Sequence, residues 1–308
     1  MKRSALAAIA LLAGCAAQGT LDPELQSIDE SRLPPANVTL NIPGLGPCTD
    51  NPDRSLRFDA RQPVTVLVHG CFGSSGRFRG LAQVLAFHGQ QTACFTYNDR
   101  DSLMRASGQL AAALERLAQA TDNRRVTVIG HSQGGLIARK SLVAGRPEPM
   151  RDARLALRLV TVSAPFSGIA AANHCGNPVM RTLSLGLVGL TCRLITGEKW
   201  SEITYTSEFI VRPGELQPQV REHLKIDTDE RGTPEAVFSI AEQRNTAIDR
   251  DPLTRLVEVA AGHVEIVGDE RVAPRKLIGI LQDNGVIEPT GPDRRVALDA
   301  LLLKLYGP

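Results

Sequence analysis

From Val64 onward, short apolar runs rich in β-branched residues alternate with stretches whose apolar residues recur every three or four positions. The runs are Val64–Val68, Thr92–Tyr97, Val126–Ile129, Leu159–Val162, Ala236–Ile240 and Leu256–Ala260. Continuous apolar strands suit a sheet buried on both faces, and parallel sheets are buried that way because their crossover helices cover them. Between two of these runs, Leu103, Ala106, Leu110, Ala113, Leu114 and Leu117 form one helical stripe, with Asp101 or Ser102 as N-cap. Gly89 and Gly145 stand where helix C-caps belong. The alternation predicts an α/β chain with a doubly wound, mostly parallel sheet.

Two regions fall outside this rhythm. Residues 170 to about 232 hold an apolar, glycine-containing part (Leu183–Leu190) followed by a polar stretch to Arg231. This segment is expected to be a lid or cap insertion in one domain spanning residues 37–308. Cys175 and Cys192 bracket its apolar part and could close a stiffening disulfide. At the N-terminus, Lys2 and Arg3 precede the apolar segment Ala5–Ala13, which is too short to span a bilayer and ends in Leu12-Ala13-Gly14-Cys15. This pattern resembles a bacterial lipoprotein signal: residues 1–14 would be removed, Cys15 acylated, and residues 15–36, polar with Pro34-Pro35, would form a tether. The expected location is the bacterial cell envelope, lipid-anchored at the outer membrane or the periplasmic face. A formal net charge of +2 with interspersed signs gives no basis for nucleic-acid binding. No cysteine or histidine cluster has zinc-ligand spacing, so no metal is expected.

Gly130-His131-Ser132-Gln133-Gly134 sits between the run Val126–Ile129 and a helical pattern containing Leu136 and Ile137. Strand, G-x-S-x-G and helix together are the context of a nucleophile elbow, in which a tight turn lifts the serine hydroxyl above the sheet edge. A serine hydroxyl needs a base to take its proton and a carboxylate to orient that base. Of the six histidines, His131 lies in the elbow, His69 ends a strand, His88 ends a helix, His174 lies in the insertion and His223 in a charged segment. His263 follows the last clear strand and is the candidate base. Its acid is expected after the preceding strand. Glu242, directly past Phe238–Ala241, is preferred over Asp249, which falls in the middle of the crossover. The tetrahedral intermediate needs two oxyanion donors: the amide of Gln133 and, from the loop His69–Gly76, the amide of Cys71. Cys71 could also pair with Cys94 on a neighbouring strand.

Together, Val66–Gly70, Gly130–Gly135, Ala164-Pro165 and Gly262-His263 resemble the α/β-hydrolase superfamily, in particular bacterial lipases and esterases. The resemblance covers residues 64 to about 283 and implies nucleophile Ser132, base His263 and oxyanion donors Cys71 and Gln133. It also implies an aspartate where this chain has Asn245, so either Glu242 substitutes or the triad is degraded. The expected activity is hydrolysis of small-molecule or lipid carboxylic esters through an acyl-enzyme, without a cofactor. The alternatives are an acyltransferase, a thioesterase or a non-catalytic envelope lipoprotein.

Overall fold

The computed structural model describes residues 33–71, 73–145, 150–152, 154–172, 199–268 and 271–307. In chain order the elements are β1 (Val38–Leu40), β2 (Leu45–Gly46), β3 (Leu56–Phe58), β4 (Val64–Val68), α1 (Arg79–Phe87), β5 (Gln91–Phe95), α2 (Leu103–Ala120), β6 (Arg125–His131), α3 (Gln133–Ser141) and β7 (Ala156–Val162). There follow α4 (Lys199–Glu202), α5 (Glu208–Val211), β8 (Val220–Asp229), α6 (Ile240–Gln243), α7 (Thr246–Asp249), β9 (Thr254–Ala260), α8 (Arg275–Asp283) and α9 (Pro292–Tyr306).

Seven strands form one sheet in the order β2-β5-β4-β6-β7-β8-β9, while β1 and β3 pair separately as an antiparallel ribbon. All neighbours in the large sheet are parallel except β2, which runs antiparallel to β5 at one edge. Chain order reverses direction at β4: β5 lies on one side of it and β6 to β9 on the other. Loops following parallel strands meet at such a switch point, and the carboxyl edge there is where α/β sheets hold their ligands.

The alternation of strand side chains divides the interior in two. Val64, Val66 and Val68 of β4 pack on one face with Val126 and Val128 of β6 and with Leu103, Leu110, Leu114 and Leu117 of α2. Leu67, Ile129 and Val160 face the other way, against Leu81, Val84 and Leu85 of α1 and Leu277 and Leu281 of α8. Ser102 is the N-cap of α2, its Oγ accepting from the Arg105 amide. The Glu202 carboxylate accepts from the Ser102 hydroxyl and the Leu103 amide, placing a negative charge at the positive end of the helix and tying α4 to it. Gly89 follows the C-cap of α1 with φ +75°, as expected of a left-handed glycine. Gly145 does not cap α3, which stops at Ser141 with Leu142 as C-cap.

Two elements depart from the sequence reading. Residues 236–240 are not a strand, because Ser239 starts α6 through a capping box with Glu242. The strand before β9 is instead β8, inside what the sequence reading assigned to the insertion of residues 170–232, so sheet pairing resumes at Val220. Charge hides this strand. Leu224 and Ile226 fill one face, but the other buries His223, Lys225 and Asp227. Those charges compensate one another. The Lys225 ammonium donates to both Asp227 oxygens at 2.6 and 2.7 Å, Asp249 lies 3.1 Å from it, and Arg244 pairs with Asp227 at 2.8 Å. Buried charges are tolerated when they are paired in this way, and a hydropathy pattern does not register the pairing.

One disulfide is present among the described residues, Cys48–Cys94. The Cys71–Cys94 pairing is therefore ruled out, for a geometric reason. In the β4–β5 register Leu67 stands opposite Cys94, and Cys71 lies four residues further on, in the turn past the end of β4. A disulfide needs Cα atoms within about 7 Å. Cys48 follows β2, where Gly46 is the partner of Cys94, and its Cα lies 4.9 Å away. Cys15, Cys175 and Cys192 lie outside the described residues, as does the apolar part of the insertion.

Candidate active site

Four consecutive strands, β6 to β9, each deliver one polar residue to the same edge of the sheet: Ser132, Ser163, Glu230 and His263. Ser132 sits between β6 and α3 with φ +55°, a left-handed conformation that strains any residue bearing a Cβ. The flanking glycines are a packing necessity. A Cβ on Gly134 would fall on the carbonyls of Val68 and His69, and one on Gly130 would fall on Gly134 itself. A Cβ on Gly70 would stand 2.9 Å from that of Ser132, so the loop after β4 passes this close to the serine only as glycine.

The Ser132 hydroxyl lies 3.0 Å from Nε2 of His263. Nδ1 of the same ring is 2.8 Å from Oε1 of Glu230, which fixes the tautomer: Nδ1–H donates to the carboxylate and Nε2 is left to accept from the serine. Ser132, His263 and Glu230 are 5%, 6% and 2% exposed. The imidazole is set edge-on to Phe238, at 4.7 Å between ring centres. From behind, Nε2–H of His131 donates to the His263 carbonyl at 2.8 Å. Burial, followed by the nearby His263, pushes the His131 pKa down to about 3, so this ring is neutral at ordinary pH.

The residue against His263 is Glu230, and neither Glu242 nor Asp249. Glu242 is spent on the capping box and on the Ala170 amide, to which its carboxylate is bonded at 2.8 Å. Asp249 ends α7 and pairs with Lys225. Like the acid expected from the sequence, Glu230 follows the strand before that of His263, but that strand is β8 and not residues 236–240. Glu230 comes directly after Asp229, the last residue of β8. Two signals in the sequence could have located it: the alternation of Leu224, Ile226 and Thr228 with His223, Lys225 and Asp227, and the capping-box spacing Ser239 to Glu242, which argues against a strand there. Asn245, where the resemblance implies an aspartate, is engaged away from His263. It is the N-cap of α7, accepting from the Ala247 and Ile248 amides and donating to the Phe166 carbonyl at 3.1 Å.

Glu230 is well prepared to remain ionised. Burial alone would raise its pKa, but the hydrogen bond and charge of His263 and the amides of Phe238 and Val237 outweigh this and hold it at about 2. Those amides donate to Oε2 at 2.8 and 2.6 Å, so the segment expected to be a strand instead cradles the carboxylate.

Gln133, expected from the sequence to be an oxyanion donor, is the first residue of α3, and its N–H is among the donors that a helix leaves without an internal partner. Cys71 lies in the turn after β4. That turn is braced at His69, whose ring stacks on Tyr97 at 4.4 Å and donates from Nδ1 to the Gly70 carbonyl, while the Tyr97 hydroxyl donates to the His69 carbonyl at 2.8 Å. Burial lowers the His69 pKa and keeps that ring neutral. The Cys71 thiol is unoxidised and accepts from the buried Lys199 ammonium at 3.0 Å. Among the described residues, no group of three or more His, Cys, Asp or Glu could hold a metal, and no helix is long and apolar enough to cross a membrane.

The family model for palmitoyl protein thioesterase matches residues 64–210, which include the serine elbow and the loop after β4. Among solved structures, the lipase BlEst2 of Bacillus licheniformis in its propeptide form superposes with a TM-score of 0.54 at 16% identity, over 80% of this chain and 53% of that one. The product of gene lin2722 of Listeria innocua gives a TM-score of 0.50 at 15% identity, over 74% of this chain and 96% of the other. The chain has the α/β-hydrolase fold. At these identities the structural likeness establishes the fold alone, and the chemistry of this chain has to be argued from its own residues. No curated protein matches its sequence.

Proposed function

We propose that the protein is a serine hydrolase of carboxylic esters, working through an acyl-enzyme. The observation that carries this reading is the unbroken line from the Ser132 hydroxyl to His263 Nε2 at 3.0 Å and from His263 Nδ1 to Glu230 at 2.8 Å. His263 takes the serine proton as Oγ bonds to the acyl carbon, and the imidazolium so formed is stabilised by ionised Glu230. The oxygen of the tetrahedral intermediate is held by the amides of Gln133 and Cys71. His263 then protonates the leaving alcohol, and a water that it deprotonates frees the acid and restores Ser132.

The same machinery cleaves a thioester, and the match of residues 64–210 to the palmitoyl protein thioesterase model favours keeping that reading beside the first. A thiolate leaves without the help an alkoxide needs, so a thioesterase would depend less on proton return by His263. The proposal extends to location. Acylation of Cys15 would hold the domain at a membrane surface in the cell envelope, and the Cys48–Cys94 disulfide suits an oxidising compartment.

The test is a panel of p-nitrophenyl esters and acyl thioesters of matched chain length, run on the full chain and on Ser132→Ala. Hydrolysis lost in the variant supports the reading, and the ratio of ester to thioester turnover selects between the two substrate classes. Hydrolysis that survives in Ser132→Ala refutes it.

A further inference from the structure

His263 has a serine on each ring nitrogen. Ser132 accounts for Nε2. At Nδ1, beside Glu230, lies the hydroxyl of Ser163, 2.9 Å away. Ser163 follows the end of β7, is fully buried, and has φ +50°; it and Ser132 are the two non-glycine residues with positive φ among those described. A glycine would adopt this conformation without strain, whereas a side chain makes it costly. Nothing about the local turn asks for a hydroxyl.

The hydroxyl has specific partners. Its proton goes to Oε1 of Glu230 at 2.8 Å, and its lone pairs face Nδ1–H of His263 and the Thr228 hydroxyl, which donates to it at 2.7 Å. Thr228 is itself pinned by buried Gln243, whose side-chain oxygen accepts from the Thr228 amide and whose NH2 donates to the Thr228 carbonyl, both at 2.8 Å. Oε1 of Glu230 therefore has two principal donors, His263 and Ser163, while Oε2 has the two amides already described. With Ser163 removed, the carboxylate would be held on Oε1 by the ring it is meant to orient and by the longer Thr228 contact of 3.0 Å.

We propose that Ser163, backed by Thr228 and Gln243, is a positioning residue: its hydroxyl bridges the acid and the base and fixes the ring of His263 for proton transfer at Ser132. This rests on the triad reading above. The bridge touches no substrate. It acts on both chemical steps, since both use the same face of the same imidazole, so it should change turnover and leave KM nearly alone.

The test uses Ser163→Gly and Ser163→Ala in the full chain. Glycine removes the hydroxyl and relieves the positive φ, which offsets part of the stability lost with its hydrogen bonds, and the melting temperature of each variant identifies any loss of activity due to unfolding. A hydrogen bond to an ionised group is worth enough that kcat should fall about 10- to 100-fold in both variants, with KM within about twofold. In a Glu230→Gln background the same substitution should cost at most about threefold, because the hydroxyl acts through the carboxylate. The proposal is overturned if Ser163→Gly keeps turnover within about threefold, if the loss sits in KM, or if it is undiminished in the Glu230→Gln background. Ser132→Ala separates the two readings. An inactive Ser132→Ala beside a fully active Ser163→Gly removes the bridge alone, whereas an active Ser132→Ala removes the triad and the bridge with it.

Discussion

Replacing Glu230 by glutamine tests the least obvious part of the site, because the sequence reading put the acid elsewhere. Glutamine keeps the size of the side chain and one acceptor oxygen but removes the charge. In the transition state His263 carries a positive charge, and its Nδ1 stands 2.8 Å from the carboxylate oxygen. With charge centres about 4 Å apart, an effective dielectric of about 20 gives roughly 4 kcal/mol of attraction, or about 10³-fold in rate. The glutamine NH2 adds a second penalty. It must face either the Val237 and Phe238 amides or the Nδ1–H of the ring, and each is a donor. Turnover of Glu230→Gln on a p-nitrophenyl ester is therefore expected to fall by about 10³-fold, with KM little changed. Glu242→Gln and Asp249→Asn should keep kcat within about threefold, since those carboxylates bind an amide and a lysine away from the imidazole. Melting temperatures of all three variants identify any loss due to unfolding. A Glu230→Gln protein that folds and keeps a tenth of its turnover would refute the assignment. A large loss confined to Glu242→Gln or Asp249→Asn would restore the acid that sequence suggested.

His131→Ala removes the donor to the His263 carbonyl and should lower kcat about tenfold at constant KM, measured in the same assay. Acid should destabilise the fold through two buried groups whose native pKa values both lie below their unfolded ones. The unfolded chain then binds more protons in each interval, so stability is lost as pH falls, from about 6.5 towards 3 for His131 and from about 4.5 towards 2 for Glu230. The His131 part is on the order of 5 kcal/mol, and urea unfolding of His131→Asn should show a shallower decline between pH 6.5 and 4 than the unmodified chain; an equal slope would contradict it. Replacing both Cys48 and Cys94 by alanine opens a link across 46 residues and should cost about 4 kcal/mol, seen as a fall of roughly 10 °C in melting temperature; no shift under oxidising conditions would argue against the bond.

The sequence by itself determined those parts of the protein that depend on local pattern. Apolar strands read as strands because both faces of β4 and β6 are buried among hydrocarbon, and the stripe from Leu103 to Leu117 read as a helix because one face packs on the sheet. Ser132 was legible because its turn excludes Cβ atoms at Gly130 and Gly134, and His263 was legible because it follows a clear strand. The tertiary structure decided what depends on partners distant in the chain. Strand β8 does not look like a core strand until Lys225, Asp227, Asp249 and Arg244 are seen to neutralise one another, and Glu230 is found only once that strand is in place. Cys48 meets Cys94 because a two-residue antiparallel edge strand brings it there, an outcome fixed by register. Local sequence carries propensity and steric exclusion, whereas the pairing of charges and sulfurs is a property of distances that only the folded chain sets.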